Sequence, residues 1–78
     1  MSQRDKLIGK MRATPANIRF SEIVALLNHE GFVLFNSRGS HFTFHRHDGR
    51  VLTIVRPHGG RKTCHRSDVQ KILEALGL

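Results

Sequence analysis

The chain has 78 residues, one cysteine, no Trp or Tyr, and 13 Lys or Arg against 6 Asp or Glu, a formal net charge of +7 with His neutral and a pI of about 11.2. That is the size of one small domain with a thin core, since such chains bury only about 60% of their unfolded surface. Cys64, having no second cysteine to pair with, excludes an internal disulfide and with it the disulfide-stapled secreted scaffolds. The charge points to a polyanionic partner: nucleic acid first, an acidic protein surface second, an anionic membrane third. The opening MSQRDKLIGKMR is charged and lacks the apolar run of a signal peptide. No stretch reaches the roughly 20 apolar residues that span a bilayer, so the expected location is the cytoplasm, with no place in a membrane.

In chain order, Leu7, Ile8 and Met11 fall at helical spacing and predict a short helix from about Arg4 to Met11. Thr14-Pro15 ends it, because the residue before proline is pushed out of the helical region. A second helix is expected over about 21–30. Ser21 serves as its N-cap, Glu22 suits the positive end of its dipole, Ile23, Leu26 and Leu27 form its apolar face, and Gly31 is its left-handed stop. Phe32 to Asn36 reads as a strand apolar on both sides, Ser37-Arg38-Gly39 as a turn, Ser40 to Arg46 as the second strand and Arg50 to Val55 as the third.

The register of the second hairpin follows from its loop. A two-residue Asp48-Gly49 turn pairs Phe42 with Val55. A three-residue loop over 47–49, closed by a left-handed Gly49, pairs His41 with Val55 and Phe42 with Ile54. The second choice is preferred because it gathers Phe42, Phe44, Leu52 and Ile54 on one face. It leaves His41, Thr43, His45, Val51, Thr53 and Val55 on the other. After the polar PHGGRKTCH loop, Ser67 is expected to cap a last helix whose Val69, Ile72, Leu73 and Leu76 make one core stripe ended by Gly77. The sum is a single α+β domain over 1–78, ordered helix, helix, three antiparallel strands, helix. The helices cover one sheet face and leave the His41 face open.

Four of the six histidines lie between Arg38 and Gly60. His45-x-His47 has the strand spacing, about 6.6 Å, of a zinc-chelating pair. Only two ligands are visible there, His47 falls in a turn, and adding Cys64 with His58 or His65 matches no known finger spacing; no metal or other cofactor is expected. His29 and His65 read as solvated or structural.

His41 differs by position. It follows a turn glycine, begins a strand on the open face, has Arg38 just before it, and lies opposite the run Arg56-Pro57-His58. An imidazole ionises in the physiological range and suits general acid–base work on a phosphodiester, while Arg and Lys hold the phosphate. RNA carries its own nucleophile, the 2′-OH, so such an enzyme needs no metal. His41 and His45 are four residues apart, about 13 Å along a strand, too far to share one phosphate. His58 is the better second candidate, and Arg38, Arg56, Arg61 and Lys62 are the candidate phosphate contacts.

Gly39-Ser40-His41 followed by Phe42-Thr43-Phe44, the Asp48-Gly49-Arg50 turn, the strand Val51–Val55, Pro57-His58-Gly59-Gly60 and a closing amphipathic helix resembles the HicA toxins of bacterial and archaeal toxin–antitoxin pairs. Arg19-Phe20-Ser21-Glu22, Leu26-Leu27 and Gly31-Phe32 resemble a longer variant of that family, with residues 1–15 as an added helical extension. The resemblance implies a fold similar to a double-stranded RNA-binding domain. It implies the activity of an mRNA interferase, a metal-independent endoribonuclease that cleaves transcripts and halts growth, with the catalytic histidine at His41 and the neighbouring glycine at Gly39. It also implies a HicB-type antitoxin that binds the toxin and masks the site. The alternative is a non-catalytic basic RNA- or DNA-binding module, in which Lys and Arg contact phosphates without chemistry. A protein-interaction adaptor is the third reading, and no exposed apolar stripe is expected to support it.

Overall fold

Apolar stripes on three helices and one face of a sheet bury one another in the computed structural model, which describes residues 2–78. The order is α1 (Gln3–Ala13), a single 3-10 turn (Pro15–Asn17), α2 (Phe20–His29), β1 (Val33–Arg38), β2 (His41–His45), β3 (Val51–Val55) and α3 (Arg66–Ala75). The fold is thus α+β, in the expected element order.

Helix α1 extends past both expected ends. Ser2 Oγ accepts from the Asp5 amide at 3.1 Å, and the Thr14 hydroxyl donates to the Lys10 carbonyl at 3.1 Å. Ile8 and Met11 are buried in the common core. Two ion pairs tie α1 to α2, Arg4 to Glu30 at 2.5 Å and Lys10 to Glu22 at 3.3 Å. Half-exposed pairs of this kind contribute about 0–1 kcal/mol each, whereas burying an Ile or Met side chain contributes about 1.5–3 kcal/mol, so packing holds this helix. No helix of the described residues is long and apolar enough to cross a membrane.

The two serine caps are corrected. Helix α2 begins at Phe20 with Arg19 as N-cap, and α3 begins at Arg66 with His65 as N-cap, so Ser21 and Ser67 lie inside their first turns. Phe20 is drawn into the helix by its edge-on packing against Phe42, with ring centroids 5.1 Å apart. Glu22 then accepts from the Arg19 amide at 3.0 Å, and that bond holds its carboxyl below the usual range. Both helices stop as expected at glycine. Phe32 N–H donates to Leu27 O and Gly31 N–H to Asn28 O, and Leu78 N–H to Leu73 O and Gly77 N–H to Glu74 O, the paired bonds of a Schellman motif.

In the sheet, β2 lies between β1 and β3, all antiparallel. His41 pairs with Val55, Phe42 with Ile54 and Phe44 with Leu52, the register of the three-residue loop. Arg46 N–H donates to Arg50 O and Gly49, at φ +90°, closes the loop. Phe44, Leu52 and Ile54 are buried against the helices, with Phe42 packed at the margin.

The first strand departs from expectation. It starts at Val33, while Phe32 before it is buried, and it continues through Ser37 and Arg38, leaving Gly39-Ser40 as a two-residue turn. Every β1 residue is exposed. Leu34 shares the helix-side face with Phe44, yet it is 47% exposed because no helix reaches that edge. A bulge at Phe35 shifts the register between Leu34 and Asn36.

The other sheet edge is closed by α3. Buried Asp68 accepts from Val55 N–H at 3.0 Å, and Lys71 Nζ donates to Thr53 O at 3.1 Å. Asp68→Ala strips the Val55 amide of its acceptor and should destabilise the domain by about 1–3 kcal/mol, read by thermal unfolding. At the hairpin loop, Asp48 accepts from Arg46 Nε and Nη2 (3.1 and 2.8 Å) and from the Arg50 amide at 3.2 Å. The Arg46 hydrogen bonds lower its carboxyl from 3.8 to about 2. A depressed acid stabilises the fold above its unfolded pKa and loses that contribution as pH falls through the folded one. Wild type and Asp48→Asn should therefore differ in Tm above about pH 4 and converge as the pH approaches about 2.

Candidate functional site

His41 is the first residue of the central strand, on the face turned away from the helices, and it is exposed. Its cross-strand neighbours are Arg38 on β1 and Val55 on β3. Directly opposed residues share a face, so Arg38, His41 and Val55 form one row. Asn36, Thr43 and Thr53 form the next, joined by a hydroxyl–hydroxyl bond of 3.2 Å between the two threonines. Val33, His45 and Val51 form the third, with the bulged Phe35 stacked on His45.

The turn that delivers His41 is set by its glycine. Gly39 has φ +56° and, among the described residues, no non-glycine residue has positive φ, so only the first central residue of Gly39-Ser40 is left-handed, the pattern of a II′ hairpin turn. A Cβ on Gly39 would meet nothing within 4 Å. Substitution there costs backbone conformation and not space.

At the same end of the sheet, Arg56 N–H donates to Ser40 O at 2.6 Å and leads the chain into the 56–65 loop. That loop folds back onto the start of α2. Cys64 N–H donates to Ile18 O at 2.8 Å, and Arg19 and Thr63 form an isolated β-bridge. The result is a cleft of about 440 Å³ lined by Arg19, Phe20, Ser21, Arg56, Pro57, Arg61 and Lys62. The amino end of α2 opens on it and adds the positive end of a helix dipole. Among the described residues, none of Arg19, Arg38, Arg56, Arg61 and Lys62 is ion-paired with a carboxylate. Their charge is available to an anion.

The structure brings the candidate residues together unevenly. Arg38 and His41 share a row, Gly39 and Ser40 form the turn beside them, and Arg56, Arg61 and Lys62 gather in the cleft. His58 is exposed in the loop; its carbonyl accepts from Arg61 N–H at 3.4 Å, and no hydrogen bond joins it to His41. Arg19 was not foreseen, because its place in the cleft depends on the long-range bridge to Thr63. Cys64 lies in the core, where burial pushes its thiol up to about 11. Among the described residues, no three His, Cys, Asp or Glu side chains converge as metal ligands. Gly39→Val should lower stability by about 1–2 kcal/mol through left-handed backbone strain, measured by thermal unfolding; an unchanged Tm would show that the turn does not depend on its glycine.

The family described as the HicA toxin of bacterial toxin–antitoxin matches the chain over residues 20–78. Helix α1 lies ahead of that match. No curated protein and no solved structure gives a significant match. The match spans α2, the whole sheet, the His41 turn, the basic loop and α3, and it establishes that this chain belongs to the HicA toxin family of toxin–antitoxin systems, the toxin member of a pair that includes an antitoxin.

Proposed function

We propose that this toxin is a metal-independent endoribonuclease that cleaves mRNA, with His41 as general acid–base, and so arrests translation and growth. One observation carries the reading: an exposed imidazole on the central strand, one residue across from Arg38 and one strand-end away from a cleft of unpaired cations. In the proposed reaction the RNA 2′-oxygen attacks the adjacent phosphorus and loses its proton, and the 5′-oxygen leaves and gains one. His41 serves one of these transfers. His58, carried on the loop that starts beside Ser40, is the proposed partner for the other. Arg38 and Arg56 are proposed to hold the phosphate, and Arg61 and Lys62 to follow the chain into the cleft. Gly39 and Ser40 position the histidine. A HicB-type antitoxin is proposed to act by covering His41, in keeping with a surface of this charge.

A basic RNA-binding module without chemistry is the second reading. It is favoured by the openness of the site, where no side chain among the described residues is hydrogen-bonded to His41. The test is cleavage of an unstructured RNA in EDTA by wild type and His41→Ala, with circular dichroism to check the variant's fold. Loss of about 10²–10⁴-fold in rate, the usual worth of a positioned acid–base group, supports the enzyme. Equal behaviour of the two proteins, whether both cut or neither does, removes His41 from the chemistry, and cleavage by neither favours the binding module.

A further inference from the structure

Phe35 is apolar, bulged out of the β1 ladder and 69% exposed. One face of its ring is stacked on His45, with centroids 4.0 Å apart and planes within 6°. The stack covers one face of the ring, and the side chain is otherwise largely in solvent. Beside it on the same sheet face lie Asn36, Thr43 and Thr53, neutral hydrogen-bonding groups, and beyond them Arg38 and His41. A half-stacked aromatic on a basic surface, bordered by hydrogen-bonding groups and cations, is what an unpaired nucleobase binds: every base has a π-face, and stacking tolerates sequence.

The geometry points to the Phe35–His45 pair as a stacking platform for one unpaired base of the RNA, holding a nucleotide near, but not at, the cleaved linkage. The inference rests on the proposed use of RNA by this toxin and adds the subsite that orients the strand. His45 lies four positions along β2 from His41, about 13 Å, so the platform acts on a neighbouring nucleotide. Protein docking along this edge is less well served. The bulge breaks the regular spacing of β1's outer hydrogen-bonding groups, as in edges that resist strand addition. The apolar row Val33–Val51 is also interrupted by His45. The exposed apolar strand does correct the expectation that the surface carries no such stripe, and its partner is here assigned as a base.

The test uses binding alone, so that it does not depend on cleavage. The probe is a fluorescently labelled single-stranded 2′-O-methyl oligonucleotide of mixed sequence, and a series in which one position at a time is abasic. Phe35→Leu keeps an apolar side chain and removes the ring. It should weaken binding about 5- to 150-fold, as loss of one base stack does, while Phe35→Tyr keeps wild-type affinity. One abasic position should weaken wild type and leave Phe35→Leu unchanged. Because the chain has no Trp, Phe35→Trp supplies a single reporter whose fluorescence should be quenched by the intact oligonucleotide and not by that abasic one. Unchanged affinity of a folded Phe35→Leu, or an abasic profile identical to wild type, overturns the platform. So does a loss of self-association in Phe35→Leu with oligonucleotide affinity intact, which would assign the strand to a second copy of the chain. If abasic coupling is found while His41→Ala still cuts RNA normally, the platform stands and the histidine mechanism falls.

Discussion

The register of β2 against β3 is the constraint on which the site depends. Strand side chains alternate, so a slip of one residue would turn His41 and Thr43 toward the helices and Phe42 and Phe44 toward water. The three-residue loop closed by Gly49 sets the pairing, and Asp48, held by Arg46 and Arg50, fastens the loop. Arg46 in turn lies over the Phe32 ring at 4.8 Å from its centroid, where Phe32 ends α2 and joins the core. Loop, ladder and helix end thus form one chain of contacts, and its far end presents an imidazole to solvent.

The second organising element is the return of the 56–65 loop to residues 18 and 19. A loop this polar would ordinarily run free over the surface. Here Cys64 is buried beside Ile18, and the backbone bond between them pins the loop's second half. The first half, from Arg56 to Lys62, spans the gap between the sheet end and α2, and its cations face Arg19 across a cleft. Asp48 is held at the distant hairpin loop, Glu30 against α1 and Asp68 under β3, while Glu22, at the α2 end of the cleft, is taken up by Lys10 and the Arg19 amide. Net charge is spread through the composition, but unpaired charge is concentrated at one end of the sheet.

Much of this was readable in the residues. The apolar stripes of α2 and α3, their glycine stops, and the pairing of Phe42 with Ile54 follow from periodicity and loop chemistry, which are local. What the sequence hid was non-local. Ser21 and Ser67 have good cap chemistry, yet Phe20 enters α2 to reach Phe42, and α3 starts early enough for Asp68 to serve a strand amide instead of its own helix. FVLFN has the composition of a buried strand. Only Phe32 is buried, because the helices cover β2 and β3 and stop short of β1. Arg19 belongs to the cleft through a bridge to Thr63, 44 positions away in the numbering, a contact that no spacing rule foretells.

The two sheet edges also differ in how they are held. β3 is clamped on both sides, by the ladder to β2 and by Asp68 and Lys71 from α3, and its alternate side chains are in the core. β1 has the ladder to β2 on one side, a bulge in the middle and no buried residue. Segments with few buried contacts open at free energies well below that of global unfolding. β1 is therefore the soft wall of the sheet, with amides that exchange by local opening, while those of β2's far side and β3 wait for the whole domain. Arg38 and Phe35 sit on that wall, beside a histidine fixed on the rigid central strand, so the groups that would meet a strand of nucleic acid can adjust to it without moving the imidazole.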